Sequence, residues 1–437
     1  MNCKKARWIF ILVISMLLIG CKKIFEFHGK SSEFQINSYA VNRQWNPCVA
    51  KLTKGGFVVV WRSEGQDGSG SGIFCQIFDS IGKKVKEEFQ VNLYDLGNQC
   101  SPSVTGLSDG GFVIVWQSIG HQNEALGTGC FGQVFDDIGN RRGNRLQFVD
   151  SSIYPLVAMP SVAALNNGGF VVVWDIFSGL QKSGWDIYGQ RFDAIGRKIG
   201  SWFSVNSYRK DVQFRSKVIG SKDGGFIVIW MSHGQNGVSR SIIGQLFDEK
   251  GMKLGNEFII FALPENARPD IACLDNENFI VVCESGRNCN VSGQLFDSHG
   301  NKLGTGFRVN TYNKSTQGNP AVTDLKHGKF VVIWESLNQE NSAESIFRES
   351  KLPWKKIIHH NQYRFDKGIF GQVFDSNAEK KGKEFRVNSF IENDQESPSV
   401  ANLGNGRFIV VWQSEGQDGD DYGIFGRIYK DNDRKWF

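Results

Sequence analysis

A chain of 437 residues is longer than the roughly 250 to 300 residues that one ordinary hydrophobic core organises. It carries 50 Lys and Arg residues against 45 Asp and Glu residues, a formal net charge of +5. Three of the cations, Lys4, Lys5 and Arg7, lie in a segment that we expect to be removed, which leaves 47 against 45, or +2. This balance indicates neither a nucleic acid nor an anionic membrane as the partner of the chain as a whole.

The first twenty residues have the pattern of an export signal. The three cations precede an apolar run, Trp8 to Ile19, which is too short for a membrane-spanning helix of about 20 residues. The run ends in Leu-Ile-Gly followed by Cys21, which resembles the lipobox of bacterial lipoproteins. That resemblance implies a signal peptide of residues 1–20, acylation of Cys21, and a lipid-anchored protein of the cell envelope, at the outer membrane or cell surface in a diderm organism. An ordinary secretory signal followed by a chance cysteine is the alternative.

Residues 21–32 are predicted to form a short polar tether, and the folded part begins with Glu33-Phe34-Gln35-Ile36-Asn37. Strict alternation of apolar and polar side chains in this pentapeptide predicts a half-buried strand. The same pattern returns at 88–92, 202–206, 306–310 and 384–388, with weaker copies at 146–150 and 257–261.

A stretch of the form Gly-Gly-Phe-Val-Ile-Val-Trp, as at 110–116, recurs seven times. The copies end at Trp61, Trp116, Trp174, Trp230, Cys283, Trp334 and Trp412, with spacings of 55, 58, 56, 53, 51 and 78 residues. An unbroken apolar run behind a Gly-Gly turn predicts a strand buried on both faces. A repeat of this period is typical of solenoids and propellers.

Two further strands complete each repeat. One begins after a proline in six of the seven copies, and the other has the pattern of Ile187 to Asp193. Four antiparallel strands per repeat predict an all-β fold, a seven-bladed β-propeller formed by residues 33–437. The alternating strands are out of phase with the three-strand sets, so strand 33–37 is expected to complete the last blade and close the ring.

The Gly-Gly-Phe-Val-Val-Val-Trp core, the Gly-Gln-Asp-Gly loop and the Gly-Ile-Phe-Gly-Gln strand together resemble a tandem repeat of large exported bacterial proteins. Some of those proteins also carry hemolysin-type calcium-binding repeats. The resemblance covers residues 33 to 430, and it implies the repeat unit and export while carrying little about activity.

Strands of a blade alternate in direction, so the loops after each Trp strand and the connections between blades are expected to share one face. We call it the open face, because irregular loops on a rigid scaffold are where binding usually occurs. Asp418, Asp420 and Asp421 fall there in a Gly-Gln-Asp-Gly loop and could supply oxygen ligands to Ca²⁺, the single cofactor considered. The alternative is a solvated turn, since Asp and Gly are favoured turn residues.

The position that opens the innermost strand of each repeat is charged in two of the seven repeats. Around the ring this residue is Cys48, Ser103, Ser161, Lys217, Asp270, Ala321 and Ser399. Lys217 and Asp270 fall on adjacent blades, and we expect them to pair at the channel mouth. The pair is either a structural ion pair or part of a ligand site.

An insertion at 337–368 in the sixth repeat accounts for the longest spacing. It contains Trp354 beside Lys355 and Lys356, followed by Tyr363. An exposed aromatic side chain next to cations suits stacking on a sugar or contact with an acidic protein, so these residues are candidates for ligand contact. A disordered insertion whose composition has no functional meaning is the alternative.

The sequence contains no sialidase-type Asp box, no Ser-His-Asp elbow and no metal-ligand spacing. We therefore predict a binding or adhesion module for a protein or glycan ligand on the open face, without catalytic activity of its own. A glycan-acting propeller enzyme, a glycosidase or a lyase, is the alternative. The seven cysteines after Cys21 suit isolated buried thiols better than a disulfide framework, and their pairing is left open.

Overall fold

The computed structural model describes residues 32–93, 96–120, 129–149, 157–177, 184–262, 267–285, 290–339 and 366–430. Those residues form 28 β-strands and two short 3-10 helices, Gln235–Gly237 and Lys326–Gly328. No helix within these ranges is long and apolar enough to cross a membrane. The described part of the chain is therefore all-β.

Twenty of the strands form five antiparallel four-stranded sheets. Four sheets follow chain order: β10 (Val157–Ala164), β11 (Phe170–Phe177), β12 (Trp185–Phe192), β13 (Lys198–Ser204); β14 (Gln213–Gly220), β15 (Phe226–His233), β16 (Arg240–Phe247), β17 (Lys253–Ala262); β18 (Asp270–Cys273), β19 (Phe279–Ser285), β20 (Asn290–Phe296), β21 (Lys302–Arg308); and β22 (Gln317–Asp324), β23 (Phe330–Leu337), β24 (Lys367–Phe374), β25 (Lys380–Arg386). The fifth sheet combines both ends of the chain: β26 (Gln395–Gly404), β27 (Arg407–Glu415), β28 (Tyr422–Lys430) and, as the outer strand, β1 (Phe34–Gln35).

The remaining eight strands pair as one sheet. They are β2 (Gln44–Lys51), β3 (Phe57–Glu64), β4 (Ser71–Phe78), β5 (Phe89–Gln90), β6 (Asn98–Gly106), β7 (Phe112–Ile119), β8 (Gly129–Phe135) and β9 (Arg141–Gln147). A parallel bridge between Ser71 and Asn98 joins the first four strands to the last four. The two backbones can approach here because Gly70 has no side chain; a Cβ atom on it would lie 2.4 Å from the carbonyl oxygen of Gly97.

The sheet pairing thus corrects the predicted blade count. It shows five four-stranded antiparallel blades and one eight-stranded sheet, and seven separate blades are not supported. The difference arises from a backbone contact between neighbouring units, which no side-chain periodicity records.

The first strands of the sheets lie side by side in a closed order, β2, β6, β10, β14, β18, β22, β26 and again β2. They surround a cavity of about 850 Å³. Sheets arranged radially around a central cavity form a β-propeller. The second strands are its most buried elements, and Trp61, Trp174, Trp230, Trp334 and Trp412 in them are fully buried between neighbouring sheets.

The N-terminal strand closes the last blade, as predicted. β1 pairs antiparallel with β28, with Phe34 opposite Gly426 and Gln35 opposite Phe425. Ile36 is fully buried, and the side-chain oxygen of Asn37 accepts the backbone N–H of Ile424 at 2.8 Å. Regular strand pairing covers two residues rather than the five predicted. The buried side chains of Ile36 and Asn37 extend the contact with the blade beyond those two residues.

The two ends of the blades differ. One end carries the tight hairpins between first and second strands together with the turns between third and fourth strands. In the first unit, for example, Lys51 at the end of β2 lies opposite Phe57 at the start of β3, and Phe57 lies opposite Phe78 at the end of β4. We call this end the turn face. The loops after the second strands and the connections between sheets share the other end, the open face.

Candidate functional site at the channel mouth

Six of the seven first strands, all except β18, enter the ring through a bulge next to the cavity. In every unit the residue two positions before the opening residue lies at the cavity mouth. These mouth residues are Asn46, Ser101, Met159, Arg215, Arg268, Asn319 and Ser397. Six of the seven, all except Arg268, have a positive φ between 46° and 57°. Non-glycine residues rarely adopt this conformation, so contacts around the mouth must hold it in place.

The side chain that follows the Trp position of one unit holds the mouth residue of the next unit. It accepts the mouth residue's backbone N–H in four units: Asp175 from Arg215 at 2.7 Å, Glu284 from Asn319 at 2.6 Å, Glu335 from Ser397 at 2.6 Å, and Gln413 from Asn46 at 2.9 Å. Acids and an amide perform the same task, so acceptance of the N–H, and not negative charge, is the common requirement.

Two of these acids have a pKa well above the ordinary value of a carboxyl group. Burial raises the pKa of Asp175 to about 7, although hydrogen bonds from Ser216 and from the backbone of Arg215 favour the ionised form. Burial likewise raises the pKa of Glu335 to about 7 against the effect of the Ser397 N–H, the Asn319 amide and Lys367. Both groups therefore change charge near neutral pH.

A second ring of acceptors lies one step deeper in the cavity. The opening side chain of one first strand accepts a backbone N–H of the next first strand: Ser103 from Val162 at 3.4 Å, Ser161 from Val218 at 3.2 Å, Asp270 from Val322 at 2.9 Å, and Ser399 from Val49 at 3.2 Å. Serine and aspartate thus tie neighbouring sheets together around the cavity.

Lys217 interrupts this ring, because an ammonium group cannot accept a hydrogen bond. Burial raises the pKa of the neighbouring Asp270, while Lys217 and the N–H groups of Val322 and Ile271 favour its charged form. The N–H of Ile271 stands at the position of Val49, Val162 and Val218 in the other strands, and it bonds the carboxylate of Asp270 instead. The two predicted charges do line the cavity on adjacent sheets, and the carboxylate of Asp270 bonds the backbone of two strands.

Cations concentrate on one side of the mouth. Arg215, Lys217 and Arg268 line the cavity together, on β14 and just before β18. Arg215 Nη1 donates to the carbonyl oxygen of Ala267 at 3.0 Å, and Arg268 Nη1 donates to Oδ1 of Asn319, so both contacts go to neutral oxygens. Partial burial, and then the charge of Arg268, lowers the pKa of Arg215.

Asp270 lines the cavity within this arc, and further acids lie outside it. Asp175 and Glu284 favour the charged form of Arg215 from behind the mouth. Further around the ring, Lys367 contacts Glu396 and lies 4.0 Å from Glu335. Neither Glu335 nor Glu396 lines the central cavity, whereas the arginines do.

The three acids considered for calcium have protein partners. Asp420 accepts the N–H of Asn42 at 2.9 Å, and Asp421 pairs with Arg43 at 2.7 Å. Asp418 accepts the amide of Gln35 at 3.3 Å. Within the described ranges, no group of three or more His, Cys, Asp or Glu side chains is arranged to hold a metal ion.

The remaining predicted site residues lie outside the described residues: Cys21, Trp354, Lys355, Lys356 and Tyr363. The insertion starts from the open face, where Leu337 and Lys367 pair and the N–H of Asn338 bonds the carbonyl oxygen of Asp366 at 3.0 Å. The described cysteines, Cys48, Cys75, Cys100, Cys130, Cys273 and Cys283, carry free thiols.

Sequence reasoning missed Arg215, Arg268 and Glu335. A signal for the arginines was present, since aligning the position before the repeat's proline places Arg215 and Arg268 in consecutive units. Glu335 shares its position with Asp175, Glu284 and Gln413, so comparison of the residue after each Trp position would have found it.

No family model matches the sequence, and no curated protein is significantly similar to it. Among solved structures, an ulvan lyase of polysaccharide lyase family PL25 superposes with a TM-score of 0.56 at 14% identity, covering 91% of this chain and 96% of that chain. Its complex with a GlcA(1-4)Rha3S oligosaccharide gives 0.54 at 12% identity, with coverages of 91% and 96%. A protein of unknown function from Dyadobacter fermentans gives 0.54 at 12% identity, with coverages of 92% and 98%. These similarities show a shared fold.

Proposed function

We propose that this chain is an exported, lipid-anchored binding module that takes an anionic glycan at the channel mouth of its open face. One observation carries the proposal: Arg215, Lys217 and Arg268 line the cavity on adjacent sheets, and both arginines donate to neutral oxygens. A ligand with carboxylate or sulfate groups is the chemistry that such an arc recognises.

The physical reason is the shape of the guanidinium group. Each guanidinium has five N–H donors in a planar fork, which fits a carboxylate or sulfate through two parallel hydrogen bonds. Because the neighbouring cation and partial burial disfavour the charge on Arg215, an anion that enters between Arg215 and Arg268 relieves their repulsion. The PL25 ulvan lyase was solved with a bound GlcA(1-4)Rha3S oligosaccharide, which suggests a glycan with acidic groups as the first probe.

We also propose that the eight-stranded sheet is functionally two blades, which makes the propeller seven-bladed. Two features support this: the halves repeat the four-strand pattern of the other sheets, and the parallel link between them is the bridge of Ser71 to Asn98. In this proposal the seven mouth residues each come from one blade, and Arg215 and Arg268 come from the fourth and fifth.

The insertion remains a candidate second contact. The described residues at its base, Leu337 and Lys367, pair on the open face. We propose that it adds aromatic or cationic contacts to a glycan that is too long for the mouth alone. Calcium at Asp418, Asp420 and Asp421 stays a weaker proposal, because these acids already bond described residues.

Titration of the purified protein with polyglucuronate tests the proposal, with neutral dextran as the comparison ligand. Arg215→Gln and Arg268→Gln are each expected to weaken binding about tenfold, since a charge-assisted bidentate contact contributes about 1.5–3 kcal/mol. Arg197→Gln, an exposed arginine on the turn face, is the matched control. Affinity is expected to fall as salt is added, because salt screens the attraction between the solvent-exposed mouth and the acidic groups of the glycan.

Equal affinity for dextran and polyglucuronate would contradict a site that recognises the acidic groups of a glycan. So would binding that the control substitution weakens as much as the two mouth substitutions do.

The enzyme alternative has one observation in its favour. Glu335 has a pKa near 7 and shares Lys367 with Glu396, and a carboxyl group that titrates near neutral pH suits general acid–base catalysis. Against it, Gln413 performs the same backbone contact in another unit, which makes Glu335 a structural clamp. Release of new reducing or unsaturated ends from an acidic glycan, lost in Glu396→Gln, would favour the enzyme.

A further inference from the structure

Three consecutive units expose an isoleucine at the same position of the turn between their third and fourth strands. Ile81, Ile138 and Ile195 have exposed fractions of 77%, 53% and 48%. The equivalent residues of the next three units are Lys250, His299 and Asn377. The apolar tips are therefore confined to one arc of the turn face.

The turns hold these side chains outward. In the first turn, Oδ1 of Asp79 accepts the N–H groups of Ile81 and Lys83, both at 2.9 Å. Asp136 and Asp193 make the same two bonds in the next two turns. Each aspartate is thereby used inside its turn, and the isoleucine side chain is left in solvent on a rigid backbone.

Exposed cations stand beside two of the tips. Lys83 and Lys198 are exposed where the chain leaves the first and third turns, whereas the guanidinium of Arg141 after the second turn donates to the carbonyl oxygens of Gln90 and Val91. Arg197 pairs with Asp193 and so partly cancels the charge of that turn. Exposed isoleucines flanked by lysine and arginine form an amphipathic surface of the kind that binds the interface of an anionic bilayer.

We infer that the arc of the turn face defined by Ile81, Ile138 and Ile195 docks on an anionic lipid surface. The isoleucines enter the boundary between headgroups and acyl chains, and Lys83 and Lys198 meet the lipid phosphates.

The direction of the closing strand agrees with this orientation. β28 runs from the open face towards the turn face, and β1 is antiparallel to it. The chain therefore reaches Phe34 from the side of the turn face. The 12 residues between Cys21 and that strand can span at most about 40 Å.

The orientation has a consequence for the open face. With the turn face on the bilayer, the channel mouth points away from the membrane. The docking surface itself does not depend on the proposed glycan site, nor does it require the acyl group.

Another explanation of the cations is protection of the outer strands against pairing with other chains. A soluble polyanion is a further occupant that lysine and arginine alone would attract. Neither accounts for isoleucines at three successive tips, because apolar side chains add nothing to edge protection or to polyanion binding. A bilayer uses both kinds of side chain.

Vesicle sedimentation of the chain of residues 22–437 tests the inference; every contact described lies between Ser32 and Lys430, so this chain retains the whole described fold. We expect binding to phosphatidylcholine vesicles that contain phosphatidylglycerol, weaker binding to phosphatidylcholine alone, and loss at high salt. The triple variant Ile81→Ser, Ile138→Ser, Ile195→Ser is expected to lower the partition coefficient about tenfold or more.

The matched control replaces three similarly exposed apolar residues of the open face, Val41→Ser, Leu93→Ser and Ile391→Ser, and is expected to bind as the wild type does. Near-UV circular dichroism of both triple variants checks that the fold is intact. Unchanged partitioning of the turn-face variant overturns the inference, as does an equal loss in both variants. Absence of binding to the anionic vesicles overturns it as well, whether or not the chain binds a soluble polyanion.

Discussion

Asp270 shows how a charged side chain in the cavity is used by the fold itself. Three other units have serine at this position, Ser103, Ser161 and Ser399, and each accepts one N–H of the next strand. Asp270 accepts the N–H of Val322 and also supports that of Ile271. A carboxylate has two separate oxygens, so it can accept from donors on two different strands.

Replacing Asp270 with alanine is therefore expected to destabilise the protein by about 1–3 kcal/mol for each donor that loses its acceptor. Asp270→Asn, which keeps one acceptor oxygen, should lose less. Urea unfolding followed by Trp fluorescence measures both. Asp420→Ala on the exposed loop is the control, and unfolding of all three at the wild-type urea concentration would show that the contacts to Val322 and Ile271 carry no stability.

The raised pKa of Glu335 predicts how the stability of the protein depends on pH. In the folded protein its pKa is about 7, whereas in the unfolded chain it is near the ordinary 4.5. Between these values the folded state binds more protons, so the contribution of Glu335 to stability is present at low pH and is lost as pH rises through the folded pKa. Glu335→Gln removes this dependence while keeping an acceptor oxygen for the Ser397 N–H.

Relative to the wild type, Glu335→Gln should gain roughly 3 kcal/mol of unfolding free energy between about pH 4 and about pH 8. Denaturant unfolding at a series of pH values measures it, and Glu87→Gln at an exposed site is the control. Parallel pH profiles of Glu335→Gln and the wild type would contradict a buried carboxyl with a raised pKa.

At the scale of elements, the closing strand β1 is short but strongly held. The carboxylate of Glu33 accepts the N–H of Ser389 at 2.6 Å and lies 3.4 Å from Arg427, with both ionic side chains buried. The units closed by a hairpin have glutamine at the position of Arg427, as Gln76 does when it donates to the carbonyl oxygen of Lys86 at 2.6 Å. β1 has no hairpin to β28, and the arginine reaches Glu33 instead.

Truncation of the buried side chain in this segment, Ile36→Ala, is expected to cost about 2–4 kcal/mol, because it leaves a cavity between β1 and the blade core. Val85→Ala is the control, since Val85 lies just before an outer strand and is 47% exposed. Differential scanning calorimetry compares the two variants. Equal melting temperatures would mean that β1 does not hold the last blade closed.

At the scale of the whole molecule, the insertion tests whether scaffold and binding surface are separable. Leu337 pairs with Lys367, and the N–H of Asn338 bonds the carbonyl oxygen of Asp366 at 3.0 Å, so the hairpin is already closed at the base of the insertion. Replacing residues 340–365 by a short Gly-Ser linker should leave the melting temperature nearly unchanged, because no described contact is removed.

The same excision is expected to weaken binding of a long acidic glycan if Trp354 and its neighbouring lysines contact it. Calorimetric titration measures affinity, and Arg215→Gln with the insertion intact separates loss at the mouth from loss at the insertion. Wild-type affinity after excision would remove the insertion from the binding surface.

The sequence by itself determined what depends on local alternation and chain order. The runs behind each Gly-Gly turn predicted the buried second strands, and the out-of-phase alternating strand at 33–37 predicted that the two ends of the chain share a blade. Both follow from periodicity of side-chain burial, which is a local property of a strand.

Only the tertiary structure decided the sheet count and the site. The bridge between Ser71 and Asn98 joins backbones where glycines allow close approach, so no side-chain pattern records it. Arg215 and Arg268 are a whole repeat apart in sequence and meet because their first strands lie side by side around one cavity. The pKa of Glu335 is set by burial against the next blade, an environment that exists only once the ring has formed.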